Sequence, residues 1–383
     1  MYFVLREVGD HVYSREEIEA CVHATIDAWQ AWAKRSSYAG RWREQVTRSA
    51  LALKLLVSHE HGSIAAAATF GLPEASGAGR NWDYRATWIR DASFTVYAFI
   101  RLGYINEVER FRAWGAGLGS ADPGKTLNVM YSLDGTQAAD ETELDHLTGY
   151  GGSRPVRIGN AARNQTQLDI YGELLDSVYL ANKYGTAVSH DRWSRLSTAV
   201  EYVIGHWEAA DAGIWEIRAE PRHFLHSRMM CWVALDRAVR LAQKRSLPAP
   251  IGRWLQERDR ISEDIWTHFR HPQNGHFVQR RGGTELDASL LMMPLVRFVS
   301  ATDRMAGNIG RDSGRAHRWR LSHSLPEQRW ARRRSGVFHD LYFLVRGMPC
   351  ARRAPGGGAA HYGKSSRVCQ SPRPLLRGTE HRR

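Results

Sequence analysis

RNWDYRATWIRDASFTVYAFIRLGY, residues 80–104, opens with three aromatics (Trp82, Tyr84, Trp88) set among Asp83, Arg85, Arg90 and Asp91, and then becomes a nearly uninterrupted apolar run. Apolar on almost every side, the stretch 92–102 predicts a helix buried all round, an inner helix of a helical assembly. Its lead-in admits two readings. Flat aromatic faces cover the C–H surfaces of a pyranose and charged forks hold its hydroxyls, so the segment suits a sugar pocket. It also suits an amphipathic turn whose Trp residues are core and whose Arg–Asp pairs are local salt bridges.

Working outward, helical periodicity recurs on both sides. Ser14 and Glu17 form a capping box ahead of Ile18, Cys21, Val22, Thr25, Ile26 and Trp29. Trp42, Val46, Ala50, Leu53 and Val57 mark a second helix. Further helices are expected over 105–118, 167–184, 192–207, 227–242, 251–269 and 287–298. No run of alternating strands of the βαβ kind appears. Long Gly- and aromatic-rich connections, 122–159 and 211–226, are of a length that is usually functional. The expected fold class is all-α, a toroid of helical hairpins with its large loops gathered at one end.

The overall charge misleads about partners. Of 53 Lys+Arg and 40 Asp+Glu, 18 and 5 fall after residue 302, leaving 35 of each before it. A neutral, Trp-rich body carries a basic, aperiodic segment, so the formal charge of +13 is not a property of the whole surface. A nucleic-acid-binding reading rests on that segment alone, which has no recognisable module or aromatic spacing. Cys21, Cys231, Cys350 and Cys369 form no CxxC pair and no disulfide framework. No run approaches the ~18 apolar residues of a membrane span, and the acidic start lacks a signal-peptide core. The expected location is cytoplasmic.

Three further segments carry chemistry. In DAGIWEIRAEPRHFLHS, residues 211–227, Glu216 follows Trp215 and precedes Arg218, Arg222 and His223. A carboxyl set against an indole in a partly apolar loop is expected to have a raised pKa, as a general acid requires. Alternatively, Glu216 is salt-bridged to Arg218. In IGNAARNQTQLDIYGELLD, residues 158–176, Gln165, Gln167 and Asp169 alternate, so an extended lead-in turns all three the same way. Such a row suits a polyhydroxylated ligand, and the alternative is helix capping by Asn164 and Thr166. Asp134, Glu141 and Asp145 in the 130–152 loop fit no EF-hand or zinc spacing. No metal and no cofactor is expected.

RNWDYRATWIRDASF, IGNAARNQTQLDIYGELLDSVYLA, GIWEIRAEPRHF and CWVALDRAVRLA together resemble family 15 of the glycoside hydrolases, the bacterial glucoamylase- and trehalase-like enzymes, from about residue 29 to 298. The resemblance implies an (α/α)6 barrel with a crater-shaped pocket and inverting hydrolysis of an α-linked glucoside or oligosaccharide. It also implies roles. Glu216 matches the general acid. Arg90 and Asp91 match the pair that holds the non-reducing glucose, with Trp88 beside them. Trp82, Asp83, Trp215 and His223 match further walls. Inversion needs a second carboxyl ~6.5–9.5 Å from the acid, acting as base on a water. That base belongs to a late loop of the barrel, and no counterpart is recognisable in this chain.

On this reading, residues 1–34 are a linker helix without the family's N-terminal β-sandwich, 35–302 a partial catalytic barrel with about eight of twelve helices, and 303–383 an aberrant tail. A shifted reading frame accounts for the change. Back-translated and read one nucleotide on, Phe338–Met348 can give STTCTFWYVEC, similar to the family's C-x-F-W-x-V segment. The expected outcome is an impaired hydrolase. A silent carbohydrate-binding remnant is the alternative. Another α/α toroid, of the terpenoid-cyclase kind, would want Asp-rich metal motifs that the sequence lacks.

Overall fold

The computed structural model describes residues 11–68, 72–119, 127–184 and 187–300. The basic segment 303–383, with the frame-shift reading attached to it, lies outside the described residues. Helix α1 (Arg15–Lys34) starts at the expected capping box: the Glu17 amide donates to Ser14 Oγ at 3.2 Å and the Ser14 amide to Glu17 Oε2 at 2.7 Å. Then come α2 (Arg43–Leu55), α3 (Ile89–Leu102), α4 (Ile105–Gly115), α5 (Asp169–Tyr184), α6 (His190–His206), α7 (Leu225–Arg245), α8 (Ile251–His268) and the single turn α9 (Met292–Leu295). Two antiparallel ladders of two-residue strands, β1 (Thr87–Trp88) with β2 (Met130–Tyr131) and β3 (Thr142–Glu143) with β4 (Arg157–Ile158), tie the long loops together.

One predicted helix is corrected. Instead of a continuous helix over 287–298, a 3-10 turn (Ala288–Leu291) leads into α9. Pro294 stands inside that turn, where it has no amide to donate, and Arg297 then takes a positive φ of 65°.

The order of packing explains which helices are apolar. α5 lies between α3 and α7, and α8 covers α7. α7 is the most enclosed, with sixteen of its 21 residues buried. α8 buries only the stripe Trp254, Ile261 and Ile265, as an outer helix should. Leu175, Val200, Met229, Leu235, Trp254 and Phe269 join one core whose side chains are almost wholly enclosed, each contributing about 1.5–3 kcal/mol of transfer free energy. α5 and α7 touch backbone to backbone at Gly172: a Cβ there would stand 2.1 Å from the Met230 carbonyl oxygen, so the inner pair can close only on glycine.

A second core fixes the end of α1. The Trp32 ring stacks on Tyr104 with centroids 4.0 Å apart and 4° between planes, and its Nε1 donates to Glu107 at 2.7 Å. Ahead of Trp32, α1 leaves large apolar side chains exposed, Val22 and Ile26 among them. Among the described residues, no helix is long and apolar enough to cross a membrane.

Candidate active site

The first turns of the three inner helices meet. Arg90 on α3, Asp169 on α5 and His226 on α7 come together, Arg90 Nη1 lying 3.1 Å from Asp169 Oδ2 and His226 Nδ1 3.7 Å from the same oxygen. Three helix N-termini therefore face one place, and their partial positive charges favour the acidic groups collected there. α3 begins three residues earlier than its apolar run suggested, which puts Arg90 and Asp91 on the helix rather than before it.

Glu216 reaches this place from the loop between α6 and α7. Its Oε1 accepts three hydrogen bonds: from Trp88 Nε1 at 2.8 Å, Arg90 Nη2 at 2.8 Å and Gln167 Nε2 at 3.1 Å. Among the described residues, Oε2 has no partner. The donors come from the ends of β1, α3 and the extended lead-in to α5, so three separate pieces of chain define one carboxyl oxygen. The loop's geometry makes the aim possible. An antiparallel bridge between Asp211 and Arg222 closes its base. Within it, the Glu216 amide donates to the Gly213 carbonyl at 3.1 Å and the Ile217 amide to the Ala212 carbonyl at 3.1 Å. Gly213 takes a φ of 65°, where a Cβ would strike the Phe224 ring at 2.6 Å. Glu216 itself has a φ of 51°, a left-handed conformation that costs a non-glycine residue about 1–2 kcal/mol.

The alternating row of the α5 lead-in does turn one way. Gln165 Nε2 donates to the Ile217 carbonyl at 3.1 Å, and its Oε1 accepts from Gln167 Nε2 at 3.0 Å. Gln167 Oε1 in turn accepts from Arg90 Nη1 at 2.6 Å. Both terminal nitrogens of Arg90 are thus hydrogen-bonded, and its Nε stands 3.9 Å from Asp91 Oδ2, an ion-pair distance. Burial opposes the charge on Arg90, but Asp169, Glu216 and Asp91 outweigh it and raise its pKa. Asp91 keeps 29% of its side chain exposed. Desolvation, reinforced by Glu216 and opposed by Arg90, pushes its carboxyl up to about 6. The alternative pairing of Glu216 with Arg218 is absent, because Arg218 turns to Glu141 instead.

The remaining predicted residues divide. The indole that meets Glu216 is Trp88, buried, with Tyr84 beside it at 5.9 Å between ring centroids. Trp215 faces the other way and donates to Asp287 Oδ2 at 2.6 Å. Trp82 lies under two guanidinium groups, Arg218 at 4.3 Å and Arg157 at 4.9 Å from the ring centroid. Asp83 is a loop brace: it accepts from Arg85 and from the Gly159 amide. Those bonds overcome desolvation and hold its carboxyl below the ordinary value. His223 makes no contact with Glu216. Its Nδ1 lies 3.4 Å from Arg228, and desolvation with the charges of Arg228 and Arg281 lowers its pKa. Asp134 bonds to Thr136, and Glu141 pairs with arginines. Among the described residues, no group of three His, Cys, Asp or Glu is placed to hold a metal.

Several participants were missed. Asp211, which accepts from the Leu168 amide at 2.9 Å, is pushed up to about 7 by burial and by Asp169. Glu173, one turn below Asp169, is raised well above the ordinary carboxylate range by burial and then by Asp169 and Asp176. His226, between Asp169 and Glu173, is lowered by desolvation. Asp287 had no local motif to mark it. A charged residue on an otherwise apolar helix face was the available signal for Glu173 and His226.

Known proteins share this sequence and fold. The chain matches the model of glycosyl hydrolases family 15 over residues 40–312. A protein named trehalase from Mycobacterium tuberculosis is 42% identical over 287 residues, covering 74% of this chain and 42% of that protein. A trehalase from Thermoplasma acidophilum is 40% identical over 291 residues, covering 75% of this chain and 49% of its own length. The chain thus spans less than half the length of either relative. Among solved structures, a bacterial glucoamylase complexed with acarbose superposes with a TM-score of 0.54 at 15% identity, over 78% of this chain and 46% of that one. A structure titled as a wild-type glycosidase gives 0.53 at 22%, over 69% and 67%. The architecture is that of the (α/α)6 toroid, incomplete among the described residues. On the match over residues 40–312, more than two-thirds of its length, the chain belongs to family 15 of the glycosyl hydrolases.

Proposed function

We propose that this site belongs to an inverting α-glucoside hydrolase of the trehalase or glucoamylase type, with Glu216 as the general acid. The observation that carries the reading is the convergence of Trp88, Arg90 and Gln167 on a single oxygen of Glu216. With Oε1 committed to those donors, Oε2 is the oxygen left to carry a proton to the glycosidic oxygen. Once the proton has gone, the donors already in place receive the negative charge, with no reorganisation at the moment of reaction. Asp91, partly exposed beside Arg90, is the group to accept a sugar hydroxyl. Arg90, hydrogen-bonded through both terminal nitrogens and paired with Asp91 through Nε, acts as the brace that fixes Asp91 and Glu216 relative to each other. Trp88 and Tyr84 supply the aromatic wall.

The relatives named trehalases make trehalose the first substrate to test, ahead of maltose and dextrins. We read the second carboxyl that inversion needs as missing from this chain. This chain is therefore expected to bind an α-glucoside and to hydrolyse it slowly. We read α1 as a linker helix and place the whole in the cytoplasm.

The test is trehalose hydrolysis followed by NMR before mutarotation. Inversion delivers β-glucose from the attacked ring and α-glucose from the departing one, in equal amounts, whereas retention delivers α-glucose alone. Glu216→Gln should lower whatever rate the chain has by about 10²–10⁴-fold while leaving substrate affinity within about threefold. Release of α-glucose alone would defeat the inverting assignment. An unchanged rate in Glu216→Gln would remove Glu216 from the chemistry.

A further inference from the structure

Glu141, which as part of a loose acidic run suggested nothing definite, sits at the crossing of three loops. Its carboxylate receives Arg218 through two nitrogens, at 3.1 and 2.8 Å, and the Ala161 amide at 3.0 Å, and it lies 3.4 Å from Arg157 Nε. Arg157 also donates to the Gly79 carbonyl at 3.1 Å, and both arginines lie over the Trp82 ring. The loops joined are 79–86, which leads to Trp88 and Arg90; 127–160; and 211–224, which carries Glu216. Arg218 is two residues beyond Glu216. Burial raises the Glu141 carboxyl, but Arg218, the Ala161 amide and Arg157 together hold it below its ordinary value.

A left-handed Glu216 needs something to hold it, because relaxation to an ordinary backbone conformation would swing the carboxyl away from Trp88 and Arg90. From behind, Gln165 anchors the Ile217 carbonyl. On the far side, the link is Arg218 to Glu141. We propose that Glu141 is a positioning residue that, through a bidentate clasp on Arg218, keeps the Glu216 turn in its strained conformation and registers it against the Trp88–Arg90 loop. It does not touch substrate. The proposal rests on Glu216 as the functional carboxyl, but its physical content, a loop fixed by one charge pair, is measurable without turnover.

The experiment is hydrogen exchange on the whole chain, paired with binding of the glucose-shaped iminosugar deoxynojirimycin. Glu141→Gln keeps the shape and the acceptor for Ala161 but loses the charge-assisted fork. Exchange at the amides of 213–218 should rise about tenfold, with α5 and α7 unchanged, and iminosugar affinity should fall about fivefold. Arg218→Gln should do the same. The double variant should add little to either, because both changes remove one link. Unchanged exchange at 213–218 overturns the proposal. So does an increase spread evenly through α5 and α7, or a double variant whose effects simply add. If exchange responds as stated and the unaltered chain binds no iminosugar, the clasp stands and the glucoside reading of the pocket falls.

Discussion

Two buried arginines on the inner helices differ in how completely their surroundings are satisfied. Arg237 lies about three turns down α7 from His226. Its Nε reaches Asp176 at 2.6 Å, its Nη1 Asp236 at 2.5 Å and its Nη2 the Val296 carbonyl at 2.8 Å. Asp236 is shared with Arg240 at 2.7 Å and Arg258 at 3.8 Å. Around Arg90, by contrast, hydrogen-bonding capacity is left over. Among the described residues, Ser93 Oγ, Asp169 Oδ1, Glu173 Oε1 and both ring nitrogens of His226 are buried without a hydrogen-bond partner. Protonation is displaced there too, with Asp91 pushed up to about 6 and Asp211 to about 7. A saturated network has one low-energy arrangement and serves stability. An unsaturated one is tolerated only where something other than stability is served, since each unpaired buried polar group costs free energy.

The comparison breaks first at Arg237. Arg237→Leu should destabilise the chain by about 3–5 kcal/mol, the usual consequence of leaving buried carboxylates without their cation. Urea unfolding measures it. The molecules that remain folded should bind sugar as before, because no hydrogen bond of this network reaches Arg90, Asp91 or Glu216. A loss of affinity without a loss of stability would mean that the lower cluster is part of the site after all.

Arg90→Leu should behave in the opposite way. Methyl α-glucoside or trehalose affinity should fall about a hundredfold, since Asp91, Asp169 and Glu216 lose their common brace. The stability change should be smaller than for Arg237→Leu, as calorimetric unfolding of the two variants side by side will measure. An equal or larger cost would place Arg90 among the residues that serve stability.

How much of this was legible in sequence follows the same division. Helices α3, α5 and α7 could be read because their apolar surfaces repeat, and Ser14 with Glu17 fixed the start of α1 through local chemistry. Glu216, Arg90, Asp91 and Trp88 stood out because charge and aromatic residues are crowded within a few positions of one another. Gln165, Gln167 and Asp169 showed as an alternation, although which object they faced could not be read. Asp83, Trp82 and His223 carry the same composition as the pocket residues, and only tertiary contacts, with Gly159, Arg157 and Arg228, turn them to other tasks. The α9 region failed for a backbone reason, Pro294 within an apolar run. Glu173, His226 and Asp211 are isolated letters in the text, and their displaced protonation exists only once burial brings them beside Asp169.

The smallest expected effect is also the most selective. The Asp91 carboxyl, pushed up to about 6 by desolvation, holds a proton in the folded chain that the unfolded chain has released. Its contribution to stability therefore declines as pH rises from about 4 to about 6 and is level above that. Sugar binding should run the other way, because an ionised carboxylate is the stronger acceptor for a hydroxyl. Affinity for a neutral ligand such as methyl α-glucoside should rise about tenfold between pH 5 and pH 7. A neutral ligand ensures that only the protein titrates. Asp211 and His226 lie close enough to add their own protonation changes, so the profile must be assigned by substitution. Asp91→Asn should bind weakly at every pH and flatten the rise, whereas Arg237→Leu should leave the rise intact. A rise that persists in Asp91→Asn would move the titrating group deeper, to His226 and Asp211, and would make that layer, rather than Asp91, the part of the unsaturated network that changes state.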